Sequence, residues 1–308
     1  MKRVVVTGVG PVTPIGVGAA GFLSAQHEAK NGIGPITLFD ASDLSVRFAG
    51  QVDVDMDQYF TGKDAKRLDR FVQFALVAAE LALQDAGLTA EDVTGDIGGT
   101  CVGSGIGGLD TWEAQSRVRF ERSPMRISPF FIPMLIVNMA SGHIAMRYHL
   151  TGPSSSVVTA CATGSHNIGE GYRMVQRGEA EVVFAGGTEA PITPMGIGGF
   201  AVMKALSTRN DSPETASRPF TASRDGFVAG EGAGILILEE YGRAVKRGAR
   251  IYAEVVGFGS SADAYHVTAP APGGTGAIAA IKRGLADAGL SADQVGYINA
   301  HGTSTPAN

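Results

Sequence analysis

Apolar residues in this chain fall into short runs set between longer stretches of helical period. The runs VVVTGV (4–9), GGTCVGSG (98–105), SSVVTA (155–160), EVVFAGG (181–187), GILILEE (234–240), IYAEVVGFG (251–259) and GYINA (296–300) have the length and β-branched content of strands. Between several of them, LDRFVQFALVAAELALQDAG (68–87), HNIGEGYRMVQRG (166–178), YGRAVKRGA (241–249) and TGAIAAIKRGLADAG (275–289) repeat apolar residues at helical spacing. The alternation predicts an α/β fold with a mainly parallel sheet. The polar stretch STRNDSPETASRPFTASRDGF (207–227) predicts a surface loop over a site.

One segment occurs twice. LQDAGLTAEDV (83–93) returns as LADAGLSADQV (285–295), each a helix end, a glycine stop, a capped turn and a strand start. The strands RVVVTGVG (3–10) and RIYAEVVGFG (250–259) correspond more loosely. Two related α/β halves follow, 1–250 and 251–308. The second has little chain after Val295 and reads as cut short.

Composition narrows the chemistry. A net charge of −5 argues against nucleic-acid binding. Two cysteines, Cys101 and Cys161, with no CxxC spacing, argue against a metal site and against a disulfide scaffold. Lys2 and Arg3 precede an apolar run, but Pro11 and Pro14 would break the helical core of a signal peptide. No stretch approaches the length of a membrane span, and a cytoplasmic protein is expected.

Cys161 stands in VVTACATGSHNIGEG, where a strand-like run meets a helical pattern. A helix N-terminus offers unpaired N–H groups and a positive dipole end, which favour a nucleophilic thiolate. A small core cysteine satisfies the same pattern. His301, in GYINAHGTSTPAN, lies past a strand-like run, where ligands of α/β sheets bind. It fits a hydrogen-bond donor to a developing oxyanion, or a loop histidine without a role. Gly103, Gly105 and Gly108 match the dinucleotide spacing GxGxxG, but Glu121 lies in the arginine-rich RVRFERSPMR instead of at a strand end. These glycines read better as close packing and a pocket wall. Lys63, Lys66, Arg67 and Arg70 are spaced to share one helical face, a site for an acidic partner or an ordinary solvated face.

Together, GPSSSVVTACATGSHNIGEG (152–171), VFAGGTEAPITPMGIGGFAVMKALSTRN (183–210), SRPFTASRDGFVAGEGAG (217–234) and NAHGTSTPAN (299–308) resemble the β-ketoacyl-acyl carrier protein synthases, most closely the bacterial elongating type. The resemblance covers the whole chain. It implies a thiolase-like fold of two pseudo-repeated layered halves, the second incomplete. It implies that Cys161 carries an acyl chain as a thioester, that malonyl-carrier protein loses CO2, and that the carbanion attacks that thioester. His301 would stabilise the enolate, Thr303 and Thr305 would hold the pantetheine arm, and Ile106 and Phe200 would line the acyl pocket. Phe131 would reach the partner's pocket in a homodimer. Lys63, Lys66, Arg67, Arg70, Arg126 and Lys204 would dock acyl carrier protein. No cofactor and no catalytic metal are implied.

The family continues beyond NAHGTSTP with a second histidine, a lysine and a glycine-rich gating loop, where this chain reads TPAN and ends. On that ground the chain as given is expected to be acylated without completing condensation. Alternative readings are a non-catalytic partner subunit of the chain-length-factor kind, and a thiolase or starter-type synthase using coenzyme A.

Overall fold

The computed structural model describes residues 1–307. In chain order its elements are β1 (Val4–Thr13), β2 (Gly16–Val17), α1 (Gly18–His27), β3 (Ile33–Pro35), β4 (Phe48–Gly50), α2 (Gly62–Ala65), α3 (Arg70–Asp85), β5 (Gly98–Gly103), α4 (Leu109–Glu121), α5 (Phe131–Leu135) and α6 (Met139–Tyr148). There follow β6 (Ser154–Ser155), α7 (Thr163–Arg177), β7 (Val182–Glu189), α8 (Pro194–Val202), β8 (Gly232–Glu240), α9 (Tyr241–Lys246), β9 (Ala253–Val255) and α10 (Thr275–Ala288).

The main sheet runs β2-β1-β8-β7-β5-β6, with β9 also paired to β1. It is mixed, not mainly parallel: β5 pairs in parallel with β6 and β7, whereas β8 runs antiparallel to β7 and β1. The long excursion from residue 190 to 231 brings β8 back along β7 in the opposite sense, which the alternation of apolar runs does not reveal.

Both faces of the sheet are covered, because side chains alternate along each strand. Val182 and Phe184 of β7 face α3 and α6 in one core, with Phe71, Phe74 and Ile144. Val183 and Ala185 face α7 in a second core, with Tyr172, Met174 and Val175. The α3 helix lies so close to β1 that a Cβ on Gly10 would stand 1.9 Å from Ala78 O. The β3–β4 hairpin, α8 and residues 206–229 build a third cluster, with Phe48, Ile197 and Leu206.

The internal repeat shows in matched contacts. Asp85, at the end of α3, accepts a hydrogen bond from Val9 N–H at 2.9 Å. Asp287, at the same place in α10, accepts one from Phe258 N–H at 2.8 Å. Asp287 also forms a 2.7 Å ion pair with Arg173 of α7, tying the second repeat to the first. The run 251–259 forms a strand only at β9, and 296–300 forms none; among the described residues no segment pairs with 296–300. Among the described residues no helix is long and apolar enough to cross a membrane.

Candidate active site around Cys161

The predicted strand 155–160 ends early. Beyond Ser155, the side chain of Asn167 takes both polar groups of Val157: Oδ1 accepts from Val157 N–H at 3.0 Å and Nδ2 donates to Val157 O at 2.8 Å. Nδ2 also donates to Thr163 O at 2.8 Å, and Cys101 Sγ donates to Oδ1 at 3.1 Å. A fully buried amide thus holds the segment that leads to Cys161. A Cβ on Gly103 would stand 2.6 Å from both Asn167 Nδ2 and Val157 O, so only glycine fits at the end of β5.

Ala160 has φ 49°, the left-handed region that a side chain disfavours. This kink turns the chain into a short 3-10 turn, 160–162, that opens α7. Cys161 sits on that turn, exposed; Cys101 lies buried in the sheet, where burial pushes its thiol up. Thr159 Oγ1 lies 2.6 Å from His166 Nδ1, and Thr159 N–H donates to Thr163 Oγ1.

The loop Ser104–Gly108 joins β5 to α4 beside this turn. Its N–H groups have the strand–loop–helix setting that takes a phosphate in nucleotide folds. Here they are occupied by the chain itself: Gly105 and Ile106 N–H donate to Glu189. Those two N–H groups are therefore engaged within the chain, in keeping with the reading of the glycines as close packing. Ile106 is partly exposed on this loop, and Phe200 packs edge-on against Phe227, ring centroids 5.2 Å apart. Phe131 begins α5 and is half-buried.

His301 is exposed, and the strand expected before it is absent. Its segment is held from the other side. Ser304 Oγ accepts from Arg218 N–H, Gly226 N–H donates to Ser304 O, and Arg224 donates to Thr305 O and Pro306 O, both at 2.9 Å. Thr303 and Thr305 pair their hydroxyls at 2.8 Å. The polar loop 207–227 therefore packs under the GTSTP segment. Among the described residues no hydrogen bond joins Cys161 to His301.

The basic residues do not share one helix. Asp69 caps α3, accepting from Phe71 N–H, and breaks the stretch between α2 and α3. Arg70 turns inward to Glu231, with contacts of 2.9 and 2.6 Å, and lies over the Phe74 ring. Its charge is spent on a buried carboxylate. Lys63, Lys66 and Arg67 remain exposed and line a surface hollow of about 480 Å³ with Ser128, Pro129 and Phe130. The Arg67 guanidinium stands 4.7 Å from the Phe130 ring centre. Arg126, two residues before Ser128, and Lys204, after α8, are exposed.

Asn167, Glu189 and the arginines 218 and 224 escape a reading of the sequence. The one available signal is that Asn167 stands six residues after Cys161 inside an otherwise small-residue helix start.

Two family descriptions match the chain: Beta-ketoacyl synthase, N-terminal domain, over residues 1–244, and Beta-ketoacyl synthase, C-terminal domain, over 252–308. The 3-oxoacyl-[acyl-carrier-protein] synthase 2 of Synechocystis is 53% identical over 308 residues, all of this chain and 74% of that protein. The protein of the same name from Vibrio harveyi is 49% identical over 307 residues, 99% of this chain and 74% of that one. Among solved structures, the ishigamide ketosynthase/chain length factor superimposes with a TM-score of 0.91 at 32% identity, covering all of this chain and 75% of that one. A type II polyketide ketosynthase in complex with its acyl-carrier protein, bound to the hexaketide, superimposes with a TM-score of 0.89 at 36% identity, with the same coverage.

Proposed function

The chain belongs to the β-ketoacyl synthase family, and from that premise we propose that it elongates fatty acyl chains with Cys161 as the acyl acceptor. Its fold is the thiolase-like fold of the ketosynthases it superimposes on. The Cys161 sulfur attacks the thioester carbonyl of an acyl-carrier protein, the carrier's pantetheine thiol leaves, and the acyl group stays on sulfur. Malonyl-carrier protein then loses CO2, and the electron pair left on its α-carbon attacks the Cys161 thioester. A carbon–carbon bond forms, the bond to sulfur breaks, and 3-oxoacyl-carrier protein departs. His301 donates a hydrogen bond to the thioester oxygen that bears charge in the enolate. Thr303 and Thr305 hold the pantetheine arm, and Ile106 and Phe200 line the acyl pocket.

The observation that carries this reading is the contrast between the two thiols: Cys161 is exposed on the kinked turn that opens α7, and Cys101 is sealed in the sheet. Lys63, Lys66, Arg67, Arg126 and Lys204 offer the acidic carrier protein a basic surface. Arg70 supports that surface from below through Glu231. A second copy of the chain fits the free edge of β6 and the exposed Val158, Phe120, Ile132 and Ile136, and Phe131 would reach across that interface. The halves meet near Arg250, and the cytoplasm is the proposed compartment. The test is to incubate the chain with acyl-carrier protein and map the adduct by mass spectrometry. Acyl label on Cys161, absent in C161S, is expected; label on Cys101 would overturn the assignment.

A further inference from the structure

Glu189 ends β7, and its carboxylate turns to the loop between β5 and α4. Ser104 Oγ–H donates to Oε1 at 2.6 Å, and the N–H groups of Gly105 and Ile106 donate to Oε2 at 2.8 and 3.2 Å. Gly107 N–H donates to Ser104 Oγ at 2.7 Å, so one carboxylate and one hydroxyl hold three consecutive amides. All these donors are neutral, and burial pushes the Glu189 carboxyl above its usual range in spite of them.

The loop is fixed on its other sides too. Gly108 N–H donates to Leu135 O of α5 at 3.0 Å, and a Cβ on Gly107 would come within 2.6 Å of the same oxygen. A Cβ on Gly105 would stand 2.9 Å from Glu189 Oε2 and 3.4 Å from both Ala160 Cα and Ala160 O. The backbone here passes between Glu189, the residue before Cys161, and α5. Oε2, which receives two N–H groups, is an acceptor only, and an amide nitrogen in its place or in that of Oε1 could not accept from the donors that meet it.

We propose that Glu189 is a positioning residue for the acyl chain: it locks the Ser104–Gly107 loop, fixes Ile106 relative to Cys161, and so sets how long a chain the site accepts. The proposal rests on the reading that Cys161 takes the acyl group and that Ile106 lines its pocket. A short chain ends before the wall at Ile106; a long one must displace it. A locked loop resists that displacement, and a loosened loop yields.

The test compares the unaltered chain with E189Q, which keeps the shape and removes the charge and one acceptor. Cys161 acylation by hexanoyl- and palmitoyl-carrier protein is followed by intact mass. The palmitoyl-to-hexanoyl rate ratio should rise about tenfold, the equivalent of one hydrogen bond lost. In an I106A background the same change should leave the ratio unaltered, because the effect passes through Ile106. A ratio that stays constant or falls in E189Q, or a full rise that persists in I106A, overturns the proposal. A parallel loss of both rates marks general damage to the fold and overturns it as well. Amide exchange over residues 104–108 gives a readout independent of acylation: faster exchange at Gly105 and Ile106 in E189Q supports the lock, and unchanged exchange refutes it. If the unaltered chain forms no Cys161 adduct, the acylation reading fails, and exchange alone decides the lock.

Discussion

Replacing Asn167 with aspartate changes almost no volume and reverses one set of hydrogen bonds. Oδ1 would keep its donors, Val157 N–H and Cys101 S–H. The Nδ2 position would become an oxygen facing Val157 O and Thr163 O, each at 2.8 Å. Ionised, that carboxylate would be buried against two carbonyls without a cation. Protonated, it could donate to only one of them. Keeping a carboxyl of ordinary pKa protonated at pH 7 costs about 4 kcal/mol, at 1.36 kcal/mol per pH unit. The second carbonyl left without a donor adds about 1–3 kcal/mol. N167D should therefore destabilise the chain by about 5–7 kcal/mol at pH 7, which is comparable to the whole stability of many domains. The sign with pH follows from linkage. The introduced group would have its folded pKa raised above the unfolded value near 3.9, so stability falls as pH rises through the window above that value. Between pH 5 and pH 7 the deficit should grow by about 2.7 kcal/mol. Urea titrations of N167D and the parent at both pH values measure it, with alkylation of Cys161 by iodoacetamide as a probe of the turn. A variant folded at pH 5 and unfolded at pH 7 also meets the expectation. A deficit below about 1 kcal/mol at pH 7, or one independent of pH, would refute the view that this amide holds the Cys161 turn.

Reversing Lys66 and Arg67 together to glutamate should weaken acyl carrier protein binding, and raised salt should weaken it in the parent, because exposed charges are screened; isothermal titration across a salt series measures both, and salt-independent binding contradicts the charged docking surface. Glu239 is fully buried, and although burial raises its carboxyl, hydrogen bonds from Arg247 and Thr7 and the charges of Arg247 and Arg243 outweigh this and hold it below its usual range. Its stabilisation is therefore present above the unfolded value of about 4.5 and is lost as pH falls through the lower folded value. Removing one partner with R247M should cost about 1.5–3 kcal/mol at pH 7 by urea unfolding, because Arg243 still pairs with Glu239 at 2.5 Å. The cost should shrink once acid protonates Glu239, and an equal deficit at neutral and strongly acid pH would contradict the pairing.

Most elements legible in the sequence face the two central cores. The β1, β7 and β8 strands read as short apolar runs because both of their faces are largely buried, and the α3 and α7 helices show their period because a stripe of each packs on the sheet. The α10 helix buries only Gly276, and it was legible through its spacing and its likeness to the end of α3. The α4 helix buries only Thr111, so no apolar stripe marks it. The α8 helix, PMGIGGFAV, has three glycines that argue against a helix, but Thr193 caps it and Pro194 opens it, a start signal present in the sequence. The repeat was legible for a related reason. GVG (8–10) in β1 and GFG (257–259) just after β9 are each glycine-spaced because a helix lies directly on the segment, with Gly10 against Ala78 and Gly259 against Ala280. Strand direction was not legible, since a long excursion such as 190–231 hides which way the chain returns.

The candidate site divides along the same physical line. The place of Cys161 is a local property, a turn between an extended run and a helix, and the sequence displays it. What shapes the turn is not local. Asn167 works by capturing the backbone of Val157, and Glu189 by capturing amides more than eighty positions earlier in the chain. A sequence names side chains, but the partners here are peptide groups, identical at every position until the fold aims them. The glycines of GSGIGG read as close packing and a pocket wall, and their spacing does not say where the loop's N–H groups go. Those of Gly105 and Ile106 meet a glutamate of the same chain. A loop filled from within needs no ligand to order it, so the backbone beside the Cys161 turn is held in place by the chain itself.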